Sequence, residues 1–236
     1  MMENENKVLN IIKELSNSRS EQVVFEDVLK IVGYSMINTV TFKRDREKAF
    51  FEVVNKYNLK EQDQLTYLMS ILVNSYSQDK NCDILANIYQ KLGLNNKSTS
   101  QFFTPPHVAD LMSKIALTKE EALNEIKDKG FITISDPSCG SGRLLISSYN
   151  QLLDYGVSRD KILLIGNDID VNCCLMTYIA LSLKGANLII NHADTLNNKV
   201  YDTYYSSYFI LNEKLQENLS SNRDISKKSR EEREER

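Results

Sequence analysis

Tryptophan is absent from the 236 residues, and proline nearly so, with Pro105, Pro106 and Pro137 the whole supply. There are only two histidines, His107 and His192, and four cysteines, Cys82, Cys139, Cys173 and Cys174. The cysteines show no Cys-x-x-Cys spacing, so no metal site is expected. No apolar run reaches the roughly 18 residues that cross a bilayer. The opening MMENENKVLN is too polar for a signal peptide. A cytoplasmic protein without a membrane partner is expected, and in that compartment no disulfide. The net charge is −3, so no overall basic excess marks a nucleic-acid binder, although a local patch can still do so. What is present is ordinary for a soluble globular chain: 42% hydrophobic and 26% charged residues, and enough length to bury a core.

The first 94 residues contain no proline and read as helical. Val8, Leu9, Ile12 and Leu15, then Val24, Val28, Leu29, Ile31 and Val32, recur at helical spacing. QLTYLMSILVNSY (64–76) is apolar enough for a buried helix, and Gly33 and Gly93 fit helix ends. LNNKSTSQ (94–101) is a polar break. In TPPHVADLMSKIAL (104–117) Thr104 suits an N-cap and Pro105 a first helical turn. Three short apolar runs follow: FITISDP (131–137), KILLIGND (161–168) and NLIINHAD (187–194). Helical stretches over 143–155 and 171–184 separate them. Strands alternating with helices predict an α/β fold with a parallel, Rossmann-like half-sheet, whose ligands bind at the strand carboxyl ends. The expected organisation is a helical domain over 1–94, a cofactor-binding α/β domain over 95–219, and a densely charged tail over 220–236.

The chain spends two of its 8 glycines in DPSCGSG, between the first strand and the next helix. Gly140 and Gly142 permit a tight turn and close approach of a ligand. The helix N-terminus behind them favours an anionic group, which a carboxylate satisfies as well as a phosphate. The motif lacks the lysine of a P-loop. Read alone, it is equally a plain strand-to-helix turn. Asp168 ends the next strand, where a carboxylate about 20 residues beyond a glycine loop grips ribose hydroxyls. Asp170 is placed to cap the following helix. Asp194 ends the third strand, where a carboxylate can accept from an adenine amino group, and Asp136 can accept from a ligand amine. Together these residues describe a nucleoside pocket with room for a carboxylate-bearing tail. Arg143, in the first turn after the loop, reads as solvent-facing.

QFFTPPHVADLM, DPSCGSGRLL, GNDID and ADTL, in this order, resemble the modification subunits of type I restriction systems and related adenine-N6 DNA methyltransferases. The resemblance implies S-adenosyl-L-methionine as cofactor. It implies that Phe103, Thr104 and Pro105 border it, that Asp136, Cys139, Gly140 and Gly142 line its methionine end, that Asp168 holds the ribose and that Asp194 holds the adenine amino group. It also implies DNA as a target, reached through a partner such as a specificity or modification subunit.

That family carries an Asn-Pro-Pro-aromatic loop after the third strand, and no proline follows Pro137 here. In its place stands NKVYDTYYSSYFILNEKL (198–215), where Tyr204, Tyr205 or Tyr208 could stack on a base or could cover the sheet, and where Asn212 reads as helical. No catalytic residue is assigned. The expectation is a cofactor-binding family member whose methylation of DNA adenine is impaired or partner-dependent. Two alternatives stay open: a non-catalytic accessory or decoy that binds restriction-modification subunits, and a methyltransferase with a non-DNA substrate.

Overall fold

The computed structural model describes residues 2–94 and 103–222. The polar break beyond Leu94 and the charged tail beyond residue 222 lie outside the described residues. Five helices come first: α1 (Met2–Leu15), α2 (Glu21–Val40), α3 (Arg44–Val54), α4 (Leu59–Gln78) and α5 (Ile84–Lys91). The starts of two of them are set by side chains that accept otherwise unpaired N–H groups. Ser20 accepts from Val23 N to open α2, and Asn58 and Glu61 form a reciprocal capping box at α4. Two more helices, α6 (Pro106–Ala116) and α7 (Lys119–Lys129), lead into the sheet. Pro105, not Thr104, is the N-cap of α6, so that helix begins one residue later than its sequence suggests.

Four strands and three helices complete the α/β part: β1 (Ile132–Asp136), α8 (Arg143–Asp154), β2 (Ile162–Asp168), α9 (Val171–Leu183), β3 (Asn187–Asp194), β4 (Lys199–Tyr205) and α10 (Ser207–Leu211). Among the described residues one more helix, α11, covers 213–222. The strand order is β1-β2-β3-β4, with β1, β2 and β3 parallel and β4 antiparallel. The three expected strands are therefore present, and β1 is an edge. β4 folds back from β3 through a turn in which Asn198 has φ 51.

One face of the sheet carries α8 and α9 and is continuous with the helices of the first 94 residues. A single apolar cluster runs from Val8 and Leu29 through Leu145 and Leu175 to Tyr204. The opposite face is covered by a smaller cluster in which Phe209 and Leu215, from α10 and α11, lie with Phe131, Leu163 and Ile189. Gly33 ends no helix: it lies within α2, where an added Cβ would stand 2.7 Å from Leu175 Cδ2 on α9. The glycine is there because two helices cross closely. Asn212 lies between α10 and α11 rather than inside a helix. Its amide donates to Asp160 O (2.8 Å) and Asn187 Oδ1 (3.1 Å) and accepts from Leu215 N (3.1 Å).

Candidate functional site

Each parallel strand ends on an aspartate: Asp136 on β1, Asp168 on β2, Asp194 on β3. Parallel pairing brings these ends to one side of the sheet, where Asp136 faces Gly166 and Asp168 faces His192. Thr195 Oγ1 donates to Pro137 O at 2.8 Å and ties the end of β3 to the end of β1.

The loop between β1 and α8 is held from several directions. Cys139 N donates to Asn167 O, Gly142 N to Cys139 O, both at 2.8 Å, and Thr177 Oγ1 to Gly140 O at 2.9 Å. Gly140 and Gly142 adopt φ of 56° and 84°, which L side chains rarely take. A Cβ on Gly142 would lie 2.8 Å from Thr177 Cγ2, so α9 packing demands this glycine. A Cβ on Gly140 would meet the ring of Phe103 at 3.4 Å. Phe103 in turn packs on Tyr89, ring centroids 5.0 Å apart.

Asp168 is 7% exposed and joins this loop to α9. Its Oδ2 accepts from Gly140 N (2.8 Å) and its Oδ1 from Asp170 N (2.9 Å). Burial raises its pKa. The two N–H groups only partly offset this, and the charges of Asp170 and Asp136 add to it. A carboxylate has about four acceptor positions, so two remain for a ligand. Asp170 caps α9, accepting from Asn172 N at 2.8 Å. Asp194 accepts from Asn197 Nδ2 (2.7 Å) and N (3.1 Å), and the Asn197 side-chain bond holds its pKa below the ordinary value.

The structure thus brings Phe103, Asp136, Gly140 and Asp168 together around the loop, with Asp194 on the adjoining strand end. Thr104 and Pro105 follow Phe103 into α6. Cys139 and Gly142 turn their α-substituents inward. The Cys139 thiol is 5% exposed, lies 3.7 Å from Thr177 Oγ1, and is pushed up to about 12 by burial. Both residues are buried, and both of their N–H groups are bonded within the protein. An open groove of about 440 Å³, bordered by Asp136, Pro137, Leu144 and Met112, runs beside β1.

Arg143 does not face solvent. It is 7% exposed and forms an ion pair with Asp83, itself 4% exposed, at the start of α5. Arg143 also donates to Asn87 Oδ1 at 3.3 Å. Burial raises the Asp83 pKa, and Arg143 pulls it back. Ile169 and Leu196, just past the acidic ends of β2 and β3, are 61% and 95% exposed.

The donor set suits a nucleoside with an ionic tail. Acidic strand ends offer acceptors to hydroxyl and amino groups. The first turn of α8 has no side-chain cap and favours a carboxylate. Ser141 Oγ, buried in the loop, has no hydrogen-bond partner within the protein. Among the described residues no group of histidine, cysteine, aspartate and glutamate could hold a metal, and no helix is long and apolar enough to cross a membrane.

Among curated proteins, the type I restriction enzyme MpnII methylase subunit of Mycoplasma pneumoniae is 24% identical over 206 residues, covering 81% of this chain. The match takes in 33% of that subunit, so the chain spans about a third of the relative's length. Among solved structures, a Listeria monocytogenes protein described as a class I S-adenosylmethionine-dependent methyltransferase aligns with TM-score 0.46 and 19% identity, over 83% of this chain and 55% of that one. A type I restriction-modification methyltransferase subunit from Streptococcus thermophilus aligns with TM-score 0.42 and 15% identity, over 83% and 59%. The family model described as N-6 DNA Methylase matches residues 78–234, a span that holds the whole sheet and the glycine loop, and the chain belongs to that family.

Proposed function

We propose that this chain binds S-adenosyl-L-methionine at the carboxyl ends of β1, β2 and β3 and serves methylation of adenine N6 in DNA within a restriction-modification system. The observation that carries the reading is the tie between Gly140 N and the Asp168 carboxylate, which fixes the glycine loop against the next acidic strand end. The free acceptor positions of Asp168 would take the ribose hydroxyls. Asp194 would accept from the adenine amino group, with Ile169 and Leu196 supplying apolar surface for the ring. The loop of Cys139, Gly140 and Gly142 would line the methionine end, with the uncapped first turn of α8 taking the carboxylate and Asp136 the amine. When bound, the cofactor's sulfonium supplies the methyl group to a nucleophile, and the protein's part is largely positioning.

Methyl transfer depends, in this reading, on a partner such as a specificity or modification subunit. In sheets of this kind the ligand crevice opens where the strand order reverses. Here the strand that carries the glycine loop, β1, is an edge with nothing hydrogen-bonded on its outer side among the described residues. One wall of the crevice is therefore left for another polypeptide segment to build. A target base must also be taken out of its stack and held. The test is transfer of labelled methyl to adenine in duplex DNA. The expectation is cofactor binding with no transfer by this chain alone; transfer by the purified chain would overturn the partner requirement.

A further inference from the structure

The aromatic segment after β3 sorts into distinct roles. Tyr204 is 2% exposed, in the core, with Tyr178 6.1 Å away edge-on. Tyr205 stacks on Phe209, ring centroids 5.7 Å apart at 16°. Tyr208 is exposed, but beside Gly185. Gly185 precedes β3, so Tyr208 lies at the end of the sheet away from the acidic strand ends. None of the three presents a ring there. Tyr201 does: it lies near the start of β4, beside the carboxyl end of β3, and is 47% exposed.

Its placement is specific. His192 pairs with Asp202 and Ala193 pairs with Val200, so Tyr201 is the extra residue of a β-bulge. Bulges re-aim side chains and gather beside functional sites. This one brings the Tyr201 ring to 5.0 Å from the His192 ring, while Lys199 Nζ stands 5.1 Å from the Tyr201 centroid. The His192 ring is itself held, with Nε2 3.1 Å from Ile169 O. Two rings and an ammonium are thus fixed next to Asp194, on the side of the site away from β1. A single exposed tyrosine needs no explanation. An exposed ring braced by a second ring, under a cation and raised by a bulge at the mouth of a nucleoside pocket, has the make-up of a stacking platform for a base with a phosphate beside it.

We propose that Tyr201, with His192 and Lys199, stacks on a nucleobase of a nucleic-acid strand, with Lys199 meeting a neighbouring phosphate. The alternative π ligand, the cofactor's adenine, fits less well, because the cofactor's one anionic group, its carboxylate, lies at α8 in the proposed pose and leaves nothing to answer the lysine. The inference rests on the proposed function and extends it to substrate contact.

The test uses the whole chain, a fluorescein-labelled single-stranded deoxyoligonucleotide followed by anisotropy, and calorimetric titration of S-adenosyl-L-methionine in parallel. Tyr201→Ala should weaken oligonucleotide binding roughly 5- to 150-fold, the range for losing one stacked base. Tyr201→Phe should bind as the wild type does. Lys199→Ala should flatten the slope of log affinity against log salt by about 0.7, one phosphate contact on a single strand. Cofactor affinity should be the same in all three. Cofactor binding without oligonucleotide binding, or an unchanged oligonucleotide affinity in Tyr201→Ala, would overturn the inference. So would a loss of cofactor affinity in Tyr201→Ala, which would give the ring to the cofactor. No cofactor binding by wild type, with Tyr201-dependent oligonucleotide binding intact, would instead overturn the proposed function and leave the platform standing.

Discussion

Removing the Arg143 guanidinium should unfold this protein far more readily than a residue beside a glycine loop suggests. Arg143 and Asp83 have side-chain exposures of 8% and 5%, so neither charge has water to fall back on. Taking away one partner of such a pair leaves an uncompensated buried charge, a loss of about 3–5 kcal/mol. Lys184 and the Ala86 N–H also favour the Asp83 carboxylate, but Lys184 Nζ is already bonded to Asp79 O (3.0 Å) and Lys80 O (2.9 Å). Asn87, which accepts from Arg143, also donates to Glu5 Oε2 at 3.0 Å, and Glu5 is paired with Lys91 at 2.6 Å. For a chain of this size each kcal/mol moves Tm by about 2–4 °C, so Arg143→Ala should lower Tm by roughly 6–20 °C. The pair links α5 to the first turn of α8, so the loss should appear as an earlier cooperative transition in far-UV circular dichroism. The pH dependence has a definite sign. Burial already raises the Asp83 pKa, and losing Arg143 raises it further. The variant's deficit is full where Asp83 is ionised and shrinks as pH falls through that raised pKa and the carboxyl becomes neutral. Arg143→Met with Asp83→Leu should recover most of the loss, since apolar replacement of a whole buried pair is often neutral or better. A drop below about 1 kcal/mol in Arg143→Ala, or a double variant as unstable as the single one, would refute the assignment.

Other outcomes follow from the same geometry. Gly142→Ala forces φ +84 on a residue with a Cβ and drives that Cβ to 2.8 Å from Thr177; it should cost about 2–4 kcal/mol in denaturant unfolding, and Thr177→Ser should relieve part of it. Burial alone would raise the Asp202 pKa, but the Lys43 hydrogen bond, the Thr203 N–H and Arg46 together hold it below the ordinary 3.8. Its stabilising contribution is therefore present above 3.8 and lost as pH falls through the lower folded value, and Asp202→Asn should remove that part of the acid limb in a pH series of melting curves. Ser206→Ala should lose about 1–3 kcal/mol, because its buried hydroxyl accepts from Leu188 N (3.0 Å) and Phe209 N (3.2 Å) and donates to Ala186 O (2.8 Å).

The three parallel strands were legible because strands buried on both faces read as unbroken apolar runs. The glycine loop and the acidic strand ends were legible because the chain is sparing with glycine and places these residues where strands stop. β4 was not. KVYDTYY alternates poorly, and its partner is fixed by a turn at Asn198 and a bulge that no local pattern announces. Gly33 looked like a helix end because glycine usually is one; the reason for it lies on α9, distant in sequence. Arg143 looked solvent-facing for the same cause, since its partner sits at the start of another helix. Cys139 and Gly142 belong to the expected motif, yet their side-chain positions serve packing against Thr177, a role that sequence spacing does not separate from ligand contact.

The central claim is that the strand ends form a cofactor pocket, and calorimetric titration of S-adenosyl-L-methionine into the purified chain tests it most directly. The account predicts saturable one-to-one binding that Asp168→Ala loses, with far-UV circular dichroism showing the variant still folded. Absence of binding to the wild-type chain, or undiminished binding to a folded Asp168→Ala, would contradict it.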